Sequence, residues 1–157
     1  MQLSFRPMRS AEWAPFEEAL RRGYAEELSG LAGYDAASAA RRANEEHAKL
    51  LPDGQESTGQ HFFVIEDGAG QSVGTIWFAE QEEYGTRYAY LYDIHIDEGR
   101  RAQGVGTAAM AALEAEAARR GLSWIDLNVS GTNDVARGLY RKLGYQETFV
   151  RMRKPLD

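Results

Sequence analysis

Over residues 88–120 the hydrophobic pattern changes period, and the change falls on a basic turn with two glycines. Tyr88-Ala89-Tyr90-Leu91-Tyr92-Asp93-Ile94-His95-Ile96 is rich in β-branched and aromatic residues and reads as a strand. Residues 108–120 are dominated by Ala, Leu, Met, Glu and Arg, which favour helix, and Gly121 stands where a helix stops. Between them runs Arg100-Arg101-Ala102-Gln103-Gly104-Val105-Gly106-Thr107. A turn so placed delivers backbone amides to a helix N-terminus, where free N–H groups and the macrodipole favour anions. Gly104 and Gly106 have no Cβ to hold a ligand off the backbone.

Alone, this turn also fits a capped loop that binds nothing, or a dinucleotide fingerprint. Gly104-Val105-Gly106-Thr107-Ala108-Ala109 spells Gly-x-Gly-x-x-Ala, and Asp126 follows at a suitable distance. Two features oppose the dinucleotide reading: residues 97–103 separate the strand from the glycines, and Asp126 lies inside a strand-like run at residues 123–129. No Gly-Lys-Ser/Thr follows the glycines, which excludes a Walker-type phosphate loop.

A second constellation spans residues 133–145. Asn133 or Asp134 suits an N-cap, Gly144 suits a stop, and Val135, Leu139 and Leu143 recur every four residues as one buried stripe. Asn133, Ala136 and Tyr140 form another stripe, carrying an amide, a small residue and a phenol. That stripe fits an extended ligand, or equally a cap, a packing alanine and an amphipathic surface tyrosine.

Together the two constellations resemble the GNAT superfamily of acyl-CoA-dependent N-acyltransferases, whose signature is Gln/Arg-x-x-Gly-x-Gly/Ala. Arg101-Ala102-Gln103-Gly104-Val105-Gly106 matches it at every fixed position. Asn133, Ala136, Tyr140, Gly144 and Tyr145 reproduce the later Asn-x-x-Ala-x-x-x-Tyr helix with its Gly-aromatic end. The resemblance is strongest from about residue 88 onward and follows the small bacterial single-domain members.

The elements in order are a strand at residues 2–8, helices at 11–28 and 34–50 separated by a break at 30–33, and a polar loop to about residue 60. A hairpin follows at 61–66 and 72–80, then a strand at 88–96, the glycine-loop helix, a strand at 123–129, the short helix, and a last strand at 146–153. The order β-α-α-β-β-β-α-β-α-β matches the resembled α/β (α+β) fold, a mixed, mostly antiparallel sheet of about six or seven strands flanked by about four helices. One domain over residues 1–157 is expected, with a cofactor-binding half at about 88–157 and an acceptor-framing half at about 1–87.

Bulk composition narrows the classes further. There is no cysteine and there are 3 scattered histidines, so no metal site is expected. No apolar run approaches about 20 residues and no signal-like N-terminus is present, which points to a cytoplasmic protein without a membrane span. The net charge of −6 is uneven: residues 1–98 hold 8 basic and 18 acidic side chains, a net −10, and residues 99–157 hold 10 and 6, a net +4. A basic C-terminal part suits the phosphates of coenzyme A, and an acidic N-terminal part suits a cationic amine. A dense basic patch for nucleic acid is lacking.

The resemblance implies further detail. Acetyl-CoA is the implied co-substrate, with residues 101–107, Asn133, Ala136 and Tyr140 at the cofactor and the backbone of Ile94, His95 and Ile96 pairing with the pantetheine arm where the fourth and fifth strands splay. Tyr140 stands where the family places its general acid. Two positions where relatives carry a basic Glu hold Asn128 and Tyr90 here. Glu80, Glu82, Glu83, Asp93 and His95 remain as bases, with Asp93 preferred and Glu82 second. Period-two alternation puts Leu91, Asp93 and His95 on one face and Tyr90, Tyr92 and Ile94 on the other.

Three function classes follow. The leading one is an N-acetyltransferase acting on a primary amine of a small molecule or peptide, with a homodimer as an assembly the family offers. An idle acyl-CoA-binding sensor module is the alternative, and an NAD-dependent oxidoreductase is the remote one.

Overall fold

Among the described residues, five strands and four α-helices form a mixed α+β fold. In chain order they are β1 (Ser4–Pro7), α1 (Ser10–Ser29), α2 (Ala36–Leu50), β2 (Gln60–Glu66), β3 (Ser72–Glu83), β4 (Thr86–Ile96), α3 (Val105–Arg119), β5 (Ile125–Leu127) and α4 (Asp134–Lys142). The structure is a computed structural model that describes residues 1–31 and 33–156. The chain divides into two units, one of Met1–Met8 and Gly59–Gln146, the other of Arg9–Thr58 and Glu147–Asp157.

The first unit holds the sheet, in the order β1-β2-β3-β4-β5. The first three pairings are antiparallel, and β4 and β5 run parallel. Short hairpins suffice for antiparallel neighbours, whereas the parallel pair needs a crossover, which α3 supplies. Along α3, Val105, Ala109, Leu113 and Ala117 recur every four residues and are buried with Met110. They pack on the sheet face carrying Phe63, Ile65, Ile76, Phe78, Ala89 and Leu91. Gly121, at φ +73°, lets α3 end as the sequence predicts, with the Leu122 amide donating to the Ala117 carbonyl at 2.9 Å.

An ion network fastens the C-terminal end of α3 to the sheet. The Arg120 guanidinium lies over the Phe78 ring and donates to Glu80 at 3.1 Å and to Glu116 at 2.6 Å, while His61 contacts Glu80 at 2.6 Å. Burial pushes the Glu80 carboxyl up, but His61 and Arg120 outweigh it and hold the group below the usual carboxylate range.

In the second unit, α1 and α2 pack through Leu28, Ala39 and Ala43, with Tyr24, Ala25 and Tyr34 around them. Asp35 caps α2 by accepting from the Ser38 amide at 2.7 Å. The helix break falls where expected, with Ala32 itself outside the described residues.

Three expectations need correction. The strand predicted at residues 146–153 is absent: residues 146–156 form neither helix nor strand, and the sheet has five strands rather than six or seven. An alternating apolar pattern supplies one side of a ladder only, and among the described residues this segment joins no ladder. Second, Val135 is 88% exposed, and α4 meets the core instead through partly buried Tyr140, with Leu143 at its C-cap. Third, β4 does not alternate evenly, because a bulge interrupts it.

Candidate active site

The bulge sets the faces of β4. Trp77 pairs with Asp93 while the next residue of β3, Phe78, pairs with Leu91, so Tyr92 is the extra residue. Tyr92 stacks on Trp77 with ring centroids 4.5 Å apart and lies 4.6 Å from Tyr90. Asp93, opposite Trp77, shares that face, whereas Ile94 and Ile96 join Leu91 on the core face. The even alternation expected from the sequence fails at this residue.

Beyond the bulge, β4 parts from β5. Their ladder covers Ala89 with Ile125, Tyr90 with Asp126 and Leu91 with Leu127, and β4 continues to Ile96 paired with β3 but not with β5. The amide of Asp97 donates to the Val73 carbonyl at 3.0 Å. Alternation from that bond turns the backbone groups of Ile94 and Ile96 away from β3, toward the side that β5 has left. The splay therefore turns main-chain groups away from β3 at two of the three expected positions, the Ile96 carbonyl accepting from the Arg101 side chain at 3.0 Å, while His95 keeps its backbone turned to β3.

Next to this gap the chain turns into α3. Ala102 and Gly104 have φ of +57° and +80°, and the side chains of Arg101 and Gln103 brace the turn by donating to the carbonyls of Ile96 and Gly99, each at 3.0 Å. Arg100 reaches back to Asp67 in the β2–β3 turn at 3.0 Å. Among the described residues the amides of residues 102–107 meet no acceptor. Val105 is buried in the core, and Thr107 is exposed. Gly106 is free of any internal demand, since an added Cβ would meet only Leu139 at 3.5 Å. The turn thus presents an array of free donors at a helix N-terminus, with bare backbone that the fold does not itself require.

Helix α4 brings in Tyr140. Asn133 caps the helix, its side chain accepting from the Ala136 amide at 3.1 Å. Gly144, at φ +91°, closes the other end, and the Tyr145 amide donates to the Tyr140 carbonyl at 3.0 Å. This closure sets the Tyr145 ring 5.6 Å from that of Tyr140. Burial pushes the Tyr140 phenol up, and the Asp93 carboxylate adds to the shift. Burial lifts the Asp93 carboxyl to about 6, against a smaller downward pull from His95. The Tyr145 hydroxyl is buried, with no partner among the described residues.

The other candidate bases lie elsewhere. Glu82 is exposed and pairs across from Arg87, five residues along β3 from Trp77, roughly 16 Å of strand. Glu80 is held in the His61–Arg120 network, Glu83 is exposed at the hairpin end, and His95 is exposed. The geometry therefore gathers Asp93, Tyr140, the splayed strand and the amide-lined turn, and leaves the glutamates at the far end of the β3–β4 hairpin. Two contributors were not anticipated. Gly74 lies where a Cβ would come within 2.1 Å of the His95 carbonyl oxygen, and a lone glycine inside a strand pattern signals such an approach. The bulge has a signal too, since Ala89, Leu91, Ile94 and Ile96 are spaced two, three, two.

A mixed sheet opened between parallel strands, with an amide-lined helix N-terminus beside the opening, is an acyltransferase architecture of the GNAT type. The Acetyltransferase (GNAT) family matches residues 18–145. YycN of Bacillus subtilis, an uncharacterized N-acetyltransferase, is 30% identical over 156 residues, covering 99% of this chain and 100% of YycN. Its crystal structure superposes with a TM-score of 0.93 over 99% of both chains. YdgE of the same organism, also an uncharacterized N-acetyltransferase, is 28% identical over 115 residues, 73% of each chain. An acetyl transferase from Pyrococcus furiosus shares the fold at a TM-score of 0.66 and 21% identity, covering 99% of this chain and 100% of its own. This chain belongs to the GNAT acetyltransferase family, and the dinucleotide reading of its glycine turn falls with that assignment. Among the described residues no helix is long and apolar enough to cross a membrane, and no group of three metal-ligating side chains occurs.

Proposed function

We propose that this protein transfers an acetyl group from acetyl-CoA to a primary amine of a small molecule or peptide. The observation that carries the reading is the continuity of the splayed end of β4 with the donor-lined turn: one surface offers strand backbone to an amide-bearing arm and free amides to a pyrophosphate. Acetyl-CoA supplies the acyl group as a thioester. The amides of residues 102–107 hold the pyrophosphate, with Arg101 adding charge, and the backbone of Ile94 and Ile96 aligns the pantetheine arm. His95 and the Asn133–Ala136 end of α4 border that arm, the Asn133 side chain being kept for its cap.

The amine nitrogen forms the new C–N bond as the C–S bond breaks. Asp93 takes the proton that the amine sheds, and its raised pKa suits a base working near neutral pH. The Tyr140 hydroxyl hydrogen-bonds the departing sulfur and donates the proton that makes it a thiol. A phenol shifted upward is a weak acid, so its larger contribution is the hydrogen bond to the developing thiolate. Glu82, exposed at the other end of β3, serves as the control position.

Thiol release from acetyl-CoA, measured against polyamines, amino acids, aminoglycosides and N-terminal peptides, tests the reading. Turnover on at least one amine class is expected. Tight acetyl-CoA binding with no turnover on any class would replace catalysis with the sensor function.

A further inference from the structure

The turn before α3 is held without spending its own donors. Residues 102–107 keep their amides free, so other groups must fix the chain that carries them. Several of these are local: the Arg100 amide donates to the Asp97 carbonyl at 2.8 Å, the Arg101 amide to the Glu98 carbonyl at 3.3 Å, and the Gln103 side chain to the Gly99 carbonyl at 3.0 Å. Local bonds shape a turn but move with it. Two contacts anchor the segment to residues distant in the chain, the Asp97 amide on the Val73 carbonyl and the Arg100 guanidinium on Asp67.

The second anchor is made by side chains, and Asp67 is held ready for it. Asp67 opens the β2–β3 turn, where its Oδ1 accepts from the amides of Ala69 and Gln71, each at 3.0 Å, while its Oδ2 accepts from Arg100 at 3.0 Å. One oxygen holds the hairpin turn and the other holds the guanidinium. The Gln71 amide, joined by the Ala69 amide and Arg100 against an upward push from desolvation, keeps the carboxyl below its usual range. The hairpin does not need Arg100 to close, since the Asp67 amide also donates to the Gln71 carbonyl at 2.9 Å. Stability is a poor reason for the pair: a partly exposed ion pair contributes little, and the Arg100 Nε is buried with no partner among the described residues. What the pair does supply is a fixed direction for the chain entering the turn.

We infer that Asp67 is a positioning residue for cofactor binding: through Arg100 it fixes the start of the glycine turn, so that the amides of residues 102–107 face one anion together. The inference rests on the reading of this turn as the pyrophosphate site of acetyl-CoA. Asp67 acts on binding and takes no part in acyl transfer.

Asp67→Asn isolates the contact. Its amide oxygen still accepts from Ala69 and Gln71, while the atom facing Arg100 becomes an NH2 group that cannot accept. In the unliganded full-length protein, hydrogen exchange at the Arg100 and Arg101 amides should speed up at least about fivefold as the turn loosens. The Kd for coenzyme A, measured by calorimetry, should rise at least about fivefold, with kcat at saturating acetyl-CoA within about twofold of wild type. The double variant Asp67→Asn/Arg100→Gln should bind no more weakly than Arg100→Gln alone, as for two partners in one contact. Glu66→Gln is the control: it breaks the neighbouring Arg6–Glu66 pair, 2.7 Å long, and should leave exchange and Kd as they are. A wild-type Kd in Asp67→Asn overturns the inference, as do unchanged exchange or defects that add in full in the double variant. Failure of the wild-type protein to bind coenzyme A is a separate result, which removes the cofactor reading of the turn and this inference with it.

Discussion

Tyr92 and Asp93 are adjacent in the chain and project from the same face of the sheet. The bulge at Tyr92 makes this possible, since without it Asp93 would point with Leu91 into the core behind α3. Instead its carboxyl lies across from Trp77, in a partly desolvated place where the Tyr140 phenol senses its charge. The irregularity that ends even pairing with β3 therefore also creates the site's one strongly shifted carboxylate.

Stability should record that placement. Asp93 has a folded pKa of about 6, above the unfolded value of about 3.9, so the folded state holds the proton more tightly. Its contribution is fully present below about pH 4 and is lost as pH rises through about 6, with a size of about 3 kcal/mol. Asp93→Asn should remove this slope and be the more stable protein at pH 7. Urea unfolding of both proteins from pH 4 to 8 checks it, and parallel curves would show that the carboxyl is not desolvated as described.

Turnover should follow the same group with the opposite sign. With Asp93 as base, kcat/KM rises about tenfold per pH unit below about 6 and levels off above it. Asp93→Asn should flatten that limb and lower the plateau by about 100-fold, within the usual range for a general base. Glu82→Gln should keep the wild-type profile. A limb that survives in Asp93→Asn would move the base to water or to another side chain.

Tyr140→Phe tests the other half of the transfer. Removing the hydroxyl keeps the ring packed near Tyr145 and on the core, so folding should be unchanged. If the phenol acts on the departing sulfur, kcat falls at least about tenfold with KM for acetyl-CoA nearly constant, as for an interaction made mainly in the transition state. Unchanged kcat in steady-state thiol release would remove Tyr140 from the chemistry.

Much of the scaffold of this candidate site was legible in the sequence because its signals are local. Gly104 before a helix, Gly144 after one, Asn133 as a cap and the change of period at residues 97–104 each depend on a few neighbouring residues, and each appears where expected. What stayed hidden depends on partners far along the chain. The register at Tyr92 is fixed by β3, so a strand read by itself assigns Asp93 to the wrong face. The exposure of Val135 follows from how α4 lies on the core rather than from its own spacing. Residues 146–153 have the composition of a strand, but pairing is a property of two strands, and among the described residues these form no ladder.

The two glycines of the turn should respond differently to a methyl group. At Gly104 the φ of +80° makes an L side chain strained, and Gly104→Ala should cost about 1–2 kcal/mol of stability. At Gly106 the backbone is helical and an added Cβ meets only Leu139 at 3.5 Å, so Gly106→Ala should fold with wild-type stability or better. Its expected defect is a rise of at least about tenfold in KM for acetyl-CoA, caused by a methyl group where the pyrophosphate must approach the amides. Thermal melts and KM measured side by side separate the effects, and an unaltered KM in Gly106→Ala would dissociate this turn from the cofactor.

Gly74 ties the splayed strand to the rest of the sheet. A Cβ there would lie 2.1 Å from the His95 carbonyl oxygen and 3.2 Å from the Ile96 Cα, and both contacts are backbone, so no side chain can swing aside. Gly74→Ala must push β4 away from β3 over the segment whose outward backbone is proposed to align the pantetheine arm. The expected cost is about 1–3 kcal/mol in urea unfolding, the scale of overpacking in a buried place, together with a raised KM for acetyl-CoA. Gly59→Ala is the matched control, since its Cβ would meet the Glu80 carbonyl oxygen at an ordinary 3.4 Å and its φ of +75° adds strain beside Glu80, at the other end of β3 from Gly74. It should lose stability and keep the KM. Equal shifts of KM in the two variants would mean that the spacing of β3 and β4 at Gly74 does not govern cofactor binding.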